Sequence, residues 1–202
     1  VRYSAGPWSF ALENANTMVT PYGGGPRINA DDNLIPDIVV RYDRAGEFGA
    51  VSLSALGREL AYDVGGQDSS AFGWGVSLAG RVNVPRGDIR FMANAGEGLG
   101  RYIAFNTADA AVLDANGELE PIGSVGGLIA YRRLLDNRHR FNLGYAQLAI
   151  DNDTALTGTG VTRSTYSGFF NLMRDVAPGL SIGAEALFGE RELEDGRTGS
   201  IS

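Results

Sequence analysis

The side chains with most chemical character in this chain are its arginines. All 17 basic residues are Arg, with no Lys and a single His, against 24 acidic residues and a net charge of −7. A guanidinium stays charged at every working pH and grips a carboxylate through two parallel hydrogen bonds. Arg41, Arg58, Arg81, Arg90, Arg132, Arg140, Arg163 and Arg191 share one parity within alternating segments, where small residues also fall. Arginines gathered on one face attract small anionic solutes and pass them between sites, as in anion-selective pores. The other reading is that they pair with acidic residues and set up a transverse field. Nucleic acid is not an expected partner, because the net sign is wrong and the arginines are not clustered along the chain.

The elements that must position these residues are short alternating strands. From Ala71 to Val84, the residues Phe72, Trp74, Val76, Leu78 and Val82 oppose Ala71, Gly73, Gly75, Ser77, Ala79 and Arg81. Ile38, Val40 and Tyr42 oppose Asp37, Val39, Arg41 and Asp43. Leu180, Ile182, Ala184, Ala186 and Phe188 oppose Ser181, Gly183, Glu185 and Arg191. One face is bulky and apolar; the other is small, polar and basic. Periodicity alone fits two arrangements: a soluble β-barrel with the bulky face inside, or a transmembrane barrel with that face toward lipid.

Turn spacing and aromatic placement favour the membrane. Tight breaks at Ala5–Pro7, Arg44–Phe48, Pro85–Asp88, Leu135–Arg138 and Ala177–Gly179 alternate with longer connections. The longer ones are Asn14–Ile35, Asp63–Ser70, Gly96–Pro121, Asp151–Thr162 and Glu192–Ser200. Short turns at one end and long loops at the other are the habit of outer-membrane barrels. Trp8, Tyr42, Phe48, Trp74, Tyr131, Tyr145, Tyr166 and Phe188 lie toward segment ends, where aromatic girdles belong. The expected fold is therefore all-β: an antiparallel transmembrane β-barrel of outer-membrane porin type, here a partial barrel of about ten strands. Residues 1–202 read as one porin segment truncated at both ends, located in a bacterial outer membrane.

The connection Gly96–Pro121 mixes Tyr102, Ile103, Phe105, Val112 and Leu113 with charge and is too apolar to stand in water. It is expected to fold inward and narrow a pore with Arg101 as a constriction residue, to pack on a neighbouring subunit, or to cover the barrel mouth. Asp114–Glu118 and Asp151–Asp153 faintly resemble oxygen-ligand cation loops, but turn chemistry accounts for the same residues. No cofactor or metal is expected. The acidic residues Asp31, Asp32, Glu118, Glu120, Glu192, Glu194 and Asp195 are placed to meet divalent ions bridging lipopolysaccharide. The lone His139 sits by a short turn without a serine partner, and Gly23–Gly25 precedes no helix, so catalysis is not expected.

Several pieces together resemble the C-terminal part of the DcaP-like trimeric outer-membrane porins. They are "FALEN" before and at Asn14, "DDNLIPDIVVR" (Asp31–Arg41), "SAFGWG" (Ser70–Gly75), "RFMANAGEGLGRY" (Arg90–Tyr102), "DNDTALTGTGVTRSTYS" (Asp151–Ser167) and "ERELEDG" (Glu190–Gly196). The resemblance implies a barrel of roughly sixteen strands, assembled as a homotrimer, that admits dicarboxylates and similar small anions.

Overall fold

The computed structural model describes residues 1–103 and 107–201. In chain order its strands are β1 (Arg2–Ala5), β2 (Trp8–Glu13), β3 (Thr17–Thr20), β4 (Ile28–Ala30), β5 (Asp37–Gly46), β6 (Gly49–Val64), β7 (Gln67–Val84) and β8 (Gly87–Glu97). After a single 3-10 turn (Gly100–Tyr102) come β9 (Ala111–Leu113), β10 (Leu119–Pro121), β11 (Gly123–Leu134) and β12 (His139–Asp151). The one-turn helix α1 (Thr154–Thr157) then leads to β13 (Thr162–Ala177), β14 (Leu180–Leu193) and β15 (Thr198–Ile201). Two sheets result. Eleven strands form an antiparallel wall in the order β1-β2-β5-β6-β7-β8-β11-β12-β13-β14-β15, and four short strands form a separate sheet in the order β10-β9-β3-β4.

The wall follows from alternation and turn chemistry. Each tight break predicted in the sequence is a turn between neighbouring antiparallel strands. Two of the expected long connections are not loops. β6 and β7 continue past the predicted break at Asp63 and meet at Gly65–Gly66, whose φ angles of 68° and 86° suit the two-residue hairpin that follows the strand twist. Likewise β14 and β15 run to Leu193 and from Thr198, leaving only Glu194–Arg197 between them. The remaining three connections fold back onto one face of the wall.

That face, called inner here, acquires a second layer. β3 from the first connection pairs in parallel with β9 from the second, through Val19–Ala111 and Thr20–Val112, and β4 and β10 flank them. Leu60, Tyr62 and Ala71 on the wall pack against Val19, Ala30, Ala110, Ala111, Leu113 and Leu119. Leu56, Leu148 and Ile150 pack against Leu99, Ile103, Ala108, Val112 and Ile122, with Leu156 of α1 closing the side. These wall residues lie on the parity that the sequence marks as small and polar. The alternation fails there because the inner face at this end is covered rather than wet. Phe105, expected to contribute apolar surface to the same segment, lies outside the described residues.

Two glycines make the close approach possible. A Cβ on Gly75 would lie 2.5 Å from Leu99 Cδ2, and one on Gly98 would lie 2.8 Å from Leu60 Cδ1. At the opposite end the turn Leu135–Arg138 is held by Asp136, whose Oδ1 accepts from the backbone N–H groups of Arg138 (2.7 Å) and His139 (2.8 Å).

Two outcomes follow from these contacts. Leu60 is completely buried between the layers, so Leu60→Ala is expected to weaken docking of the inner layer by about 2–5 kcal/mol. Limited proteolysis reads this as faster cleavage within residues 98–122 while the wall stays resistant. The Arg138 N–H and the His139 side chain and N–H pull the Asp136 carboxyl from its ordinary 3.8 down to about 2. A depressed carboxyl stabilises its turn fully above the ordinary value and ceases to do so as pH falls through the lowered one. Amide shifts of Arg138 and His139 should therefore stay constant down to about pH 4 and move with a midpoint near 2; a midpoint near 4 would contradict the turn geometry.

Candidate functional site

Strand register sorts the wall's side chains into two faces, and the inner one carries two polar centres. The first lies where the inner layer meets β5 and β6. Asp37 at the start of β5 and Arg58 in mid-β6 have side chains with no solvent exposure, and Arg58 Nε lies 3.3 Å from Asp37 Oδ1. Arg58 also donates to the carbonyl oxygens of Gly98 (3.1 Å), Leu99 (3.3 Å) and Asn16 (2.6 Å). One wall guanidinium thus binds two of the three inward connections. Arg101, carried in by the 3-10 turn, reaches Asp37 Oδ2 at 2.9 Å and stacks over the Tyr102 ring at 4.9 Å. The single proton of the Tyr102 hydroxyl is shared between Asp37 Oδ2 (2.8 Å) and Glu13 Oε2 (2.9 Å). Burial raises the Tyr102 pKa well above its ordinary value, so the hydroxyl remains a donor.

The second centre lies toward the short turns. Asp88 on β8 is buried, with a side chain only 2% exposed, and serves two arginines. Arg90 Nε donates to its Oδ1 at 2.9 Å, and Arg132 of β11 pairs with its Oδ2. Farther round the wall, Asn142 Nδ2 donates to Asn171 Oδ1 at 2.6 Å and Asn171 Nδ2 donates to Glu185 Oε2 at 2.8 Å. Arg132 and Asn142 are register partners. A polar row therefore crosses five strands from β8 to β14.

The structure places the predicted arginines unequally. Arg41 lies on the inner face and is held by Asp43 at 2.8 Å. Arg58 is on the predicted face but entirely covered. Arg81 and Arg90 are exposed and face each other across β7 and β8. Arg101 is anchored to Asp37, and Arg140 is paired with Asp175 at 2.6 Å. Arg163 sits at a β-bulge that interrupts the alternation, and it pairs with Glu192 at 3.4 Å, whereas Arg191 donates to Thr162 Oγ1 at 2.8 Å. The sequence reading missed Arg2, which register places on the inner face beside Ser9. It also missed Asp88, whose only sequence signal is its position two residues before Arg90.

The opposite face stays bare. Phe72, Trp74, Val76, Leu53, Ile129, Leu143, Phe170, Ile182 and Phe188 are all exposed. Aromatic contacts collect at both ends: Trp8 with Tyr42 (4.9 Å) and Tyr131 with Phe141 (5.7 Å) toward the short turns, Tyr145 with Tyr166 (6.3 Å) toward the other end. Asp114 and Glu118 of the acidic loops are engaged in hydrogen bonding within the chain. Asp114 Oδ1 accepts from the backbone of Asn116 and Glu118, and Glu118 accepts from Ser69.

No family model and no curated protein matches the chain in sequence. Among solved structures, the outer membrane channel DcaP of Acinetobacter baumannii superposes with a TM-score of 0.80, covering 98% of this chain at 14% identity. The chain has a DcaP-like fold. It spans 57% of the DcaP chain, and its sheet ends at the free edges of β1 and β15. In the DcaP-like wall the expected all-β, antiparallel, porin-type architecture is present, with eleven wall strands where the sequence indicated about ten.

Asp37 joins wall to inner layer, which makes it the residue to test. Asp37→Asn leaves Arg58 buried without its acid, a loss of about 3–5 kcal/mol. Amide exchange at Ala110 and Ile122, whose N–H groups donate to Met18 (2.8 Å) and Ala110 (3.0 Å), is expected to accelerate, with the β6–β7 amides unchanged. Unaltered exchange at Ala110 would show that apolar packing alone holds the layer.

Proposed function

We propose that this chain forms part of the wall of a bacterial outer-membrane porin that lets small anionic solutes, carboxylates above all, diffuse passively along its arginine-bearing inner face. The observation that carries this reading is which face is left uncovered. In a soluble β-domain the bulky face is the one that packs; here it stays exposed, with aromatic pairs toward both ends, while the basic face takes the second layer. Exposed apolar area on this scale requires an apolar solvent or partner. The DcaP-like fold supports the same reading.

Under this proposal the inner layer, tied down through Asp37, narrows the passage on the long-connection side. Arg101 contributes to the narrowing as a strut rather than a free charge. Assembly as a homotrimer, and contact of the acidic loops with lipopolysaccharide through divalent ions, belong to the same proposal and rest on the family resemblance.

One observation favours a second reading, a general diffusion pore with no preferred solute. Arg41, Arg58, Arg101, Arg132 and Arg140 are each paired with a carboxylate, and a paired guanidinium attracts a passing anion weakly. The two readings separate in planar bilayers under a potassium chloride gradient. The intact protein is expected to give a reversal potential of the sign set by chloride. A reversal potential near zero would leave the unselective pore, and absence of any conductance from folded protein would remove both readings.

A further inference from the structure

Resting on the porin reading above, we infer that Arg81 and Arg90 together form an anion subsite for a small carboxylate, separate from the inner layer and on its short-turn side. The argument begins with register. Arg81 of β7 and Arg90 of β8 are direct cross-strand partners on the inner face. Like charges placed directly opposite destabilise a sheet, so this pair carries a standing electrostatic cost that a bound anion relieves.

The neighbours leave room for one. Along the hydrogen-bonding direction the row reads Ala45, Ala50, Arg81, Arg90, Ala130, Gly144. Two small residues stand on each side of the guanidinium pair. On the adjacent row toward the inner layer stand Asp43, Ser52, Ala79 and Met92. Asp43 there is occupied by Arg41 and by the Ser52 hydroxyl.

Charge counting points the same way. Among the described residues around this row Asp88 is the one carboxylate in contact, and it serves both Arg90 and Arg132. Arg81 makes no ion pair or hydrogen bond among the described residues, the only described inner-face arginine of which this holds. Three guanidiniums against one carboxylate leave an excess of two positive charges. Asp88 binds Arg90 through Nε alone, so the terminal nitrogens of Arg90 remain available to a ligand. A carboxylate between Arg81 and Arg90 receives two charge-assisted donors, and a dicarboxylate of short reach can engage one guanidinium with each end. Asp88 acts as a positioning residue that fixes Arg90.

The test uses the intact protein in planar bilayers with potassium succinate as the probe. Wild type should show succinate-dependent interruption of the chloride current and an anion-selective reversal potential. Arg81→Ala and Arg90→Ala are each expected to raise the half-blocking succinate concentration about tenfold and to reduce anion preference. Arg197→Ala, removing an arginine of the β14–β15 turn that pairs with Asp195, should leave the block unchanged. Compact mobility on unheated gels confirms that each variant is folded. An anion-selective wild type whose succinate block survives in the Arg81→Ala/Arg90→Ala double variant would overturn the subsite while sparing the porin reading. A wild type without anion preference would remove both.

Discussion

The buried carboxylate of Asp37 is the contact on which the architecture turns. It lies at the first residue of β5, against Arg58 of β6 and beneath Arg101 of the inward connection, with no water on its own surface. A buried charge left alone costs several kcal/mol, and it is tolerable only when partners surround it. Here the partners come from different parts of the chain: wall strands, the 3-10 turn, and the backbone of two connections separated by more than eighty residues of sequence. The ion cluster therefore fixes where the second layer stands. The apolar packing of Leu56, Leu60 and Tyr62 beside it has no comparable directional preference, so the charges set position while the hydrophobic contacts supply most of the adhesion.

This arrangement divides the arginines into two kinds. Those near the inner layer are structural: each is satisfied by a carboxylate or by carbonyl oxygens, and Arg58 touches no solvent. Those toward the short turns outnumber the acids that serve them. The difference arises from the distribution of carboxylates, not of arginines. The acids that reach the inner face beside the second layer, Asp37 and Glu13, come from β5 and β2, and Asp43 farther along β5 is taken up by Arg41. Among the described residues, the middle of the wall has Asp88 alone. An electrostatic gradient along the inner surface results without any change in the spacing of the basic residues.

Much of the wall was legible in the sequence because period-two alternation survives wherever one face meets a uniform apolar surrounding. Phe72 to Val82 and Leu180 to Phe188 report that face without ambiguity. The inner layer was harder to see because β3 and β9 are only three or four residues long, too short to show a period. Their signal is compositional: Thr17–Thr20 and Ala111–Leu113 are apolar runs inside connections that otherwise read as loops. A second clue is the even-numbered series Leu56, Leu60, Tyr62, which places large side chains on the parity reserved elsewhere for small ones. The hairpin at Gly65–Gly66 was read as part of a loop because Asp63, Gln67 and Asp68 are polar, as any strand becomes where both faces meet water. Nothing in local sequence marks Asp88 as shared by two arginines; that follows from register across β7, β8 and β11.

The parallel pairing of β3 with β9 has a consequence for the order of events during folding. β3 lies about ninety residues before its partner in the sequence, and the apolar surface that finally seals the layer includes Leu148 and Ile150 on β12. Until β9 and β10 arrive, Leu60 and Tyr62 lack most of their packing partners, and until β12 joins the wall Leu99 and Val112 lack theirs. Closing so long a loop is entropically costly and slow compared with forming the neighbouring hairpins. The wall can thus assemble hairpin by hairpin, whereas its lining arrives as a late, single step. A chain held in that interval exposes apolar surface on both faces at once, the condition under which a sheet most needs a chaperone's shelter.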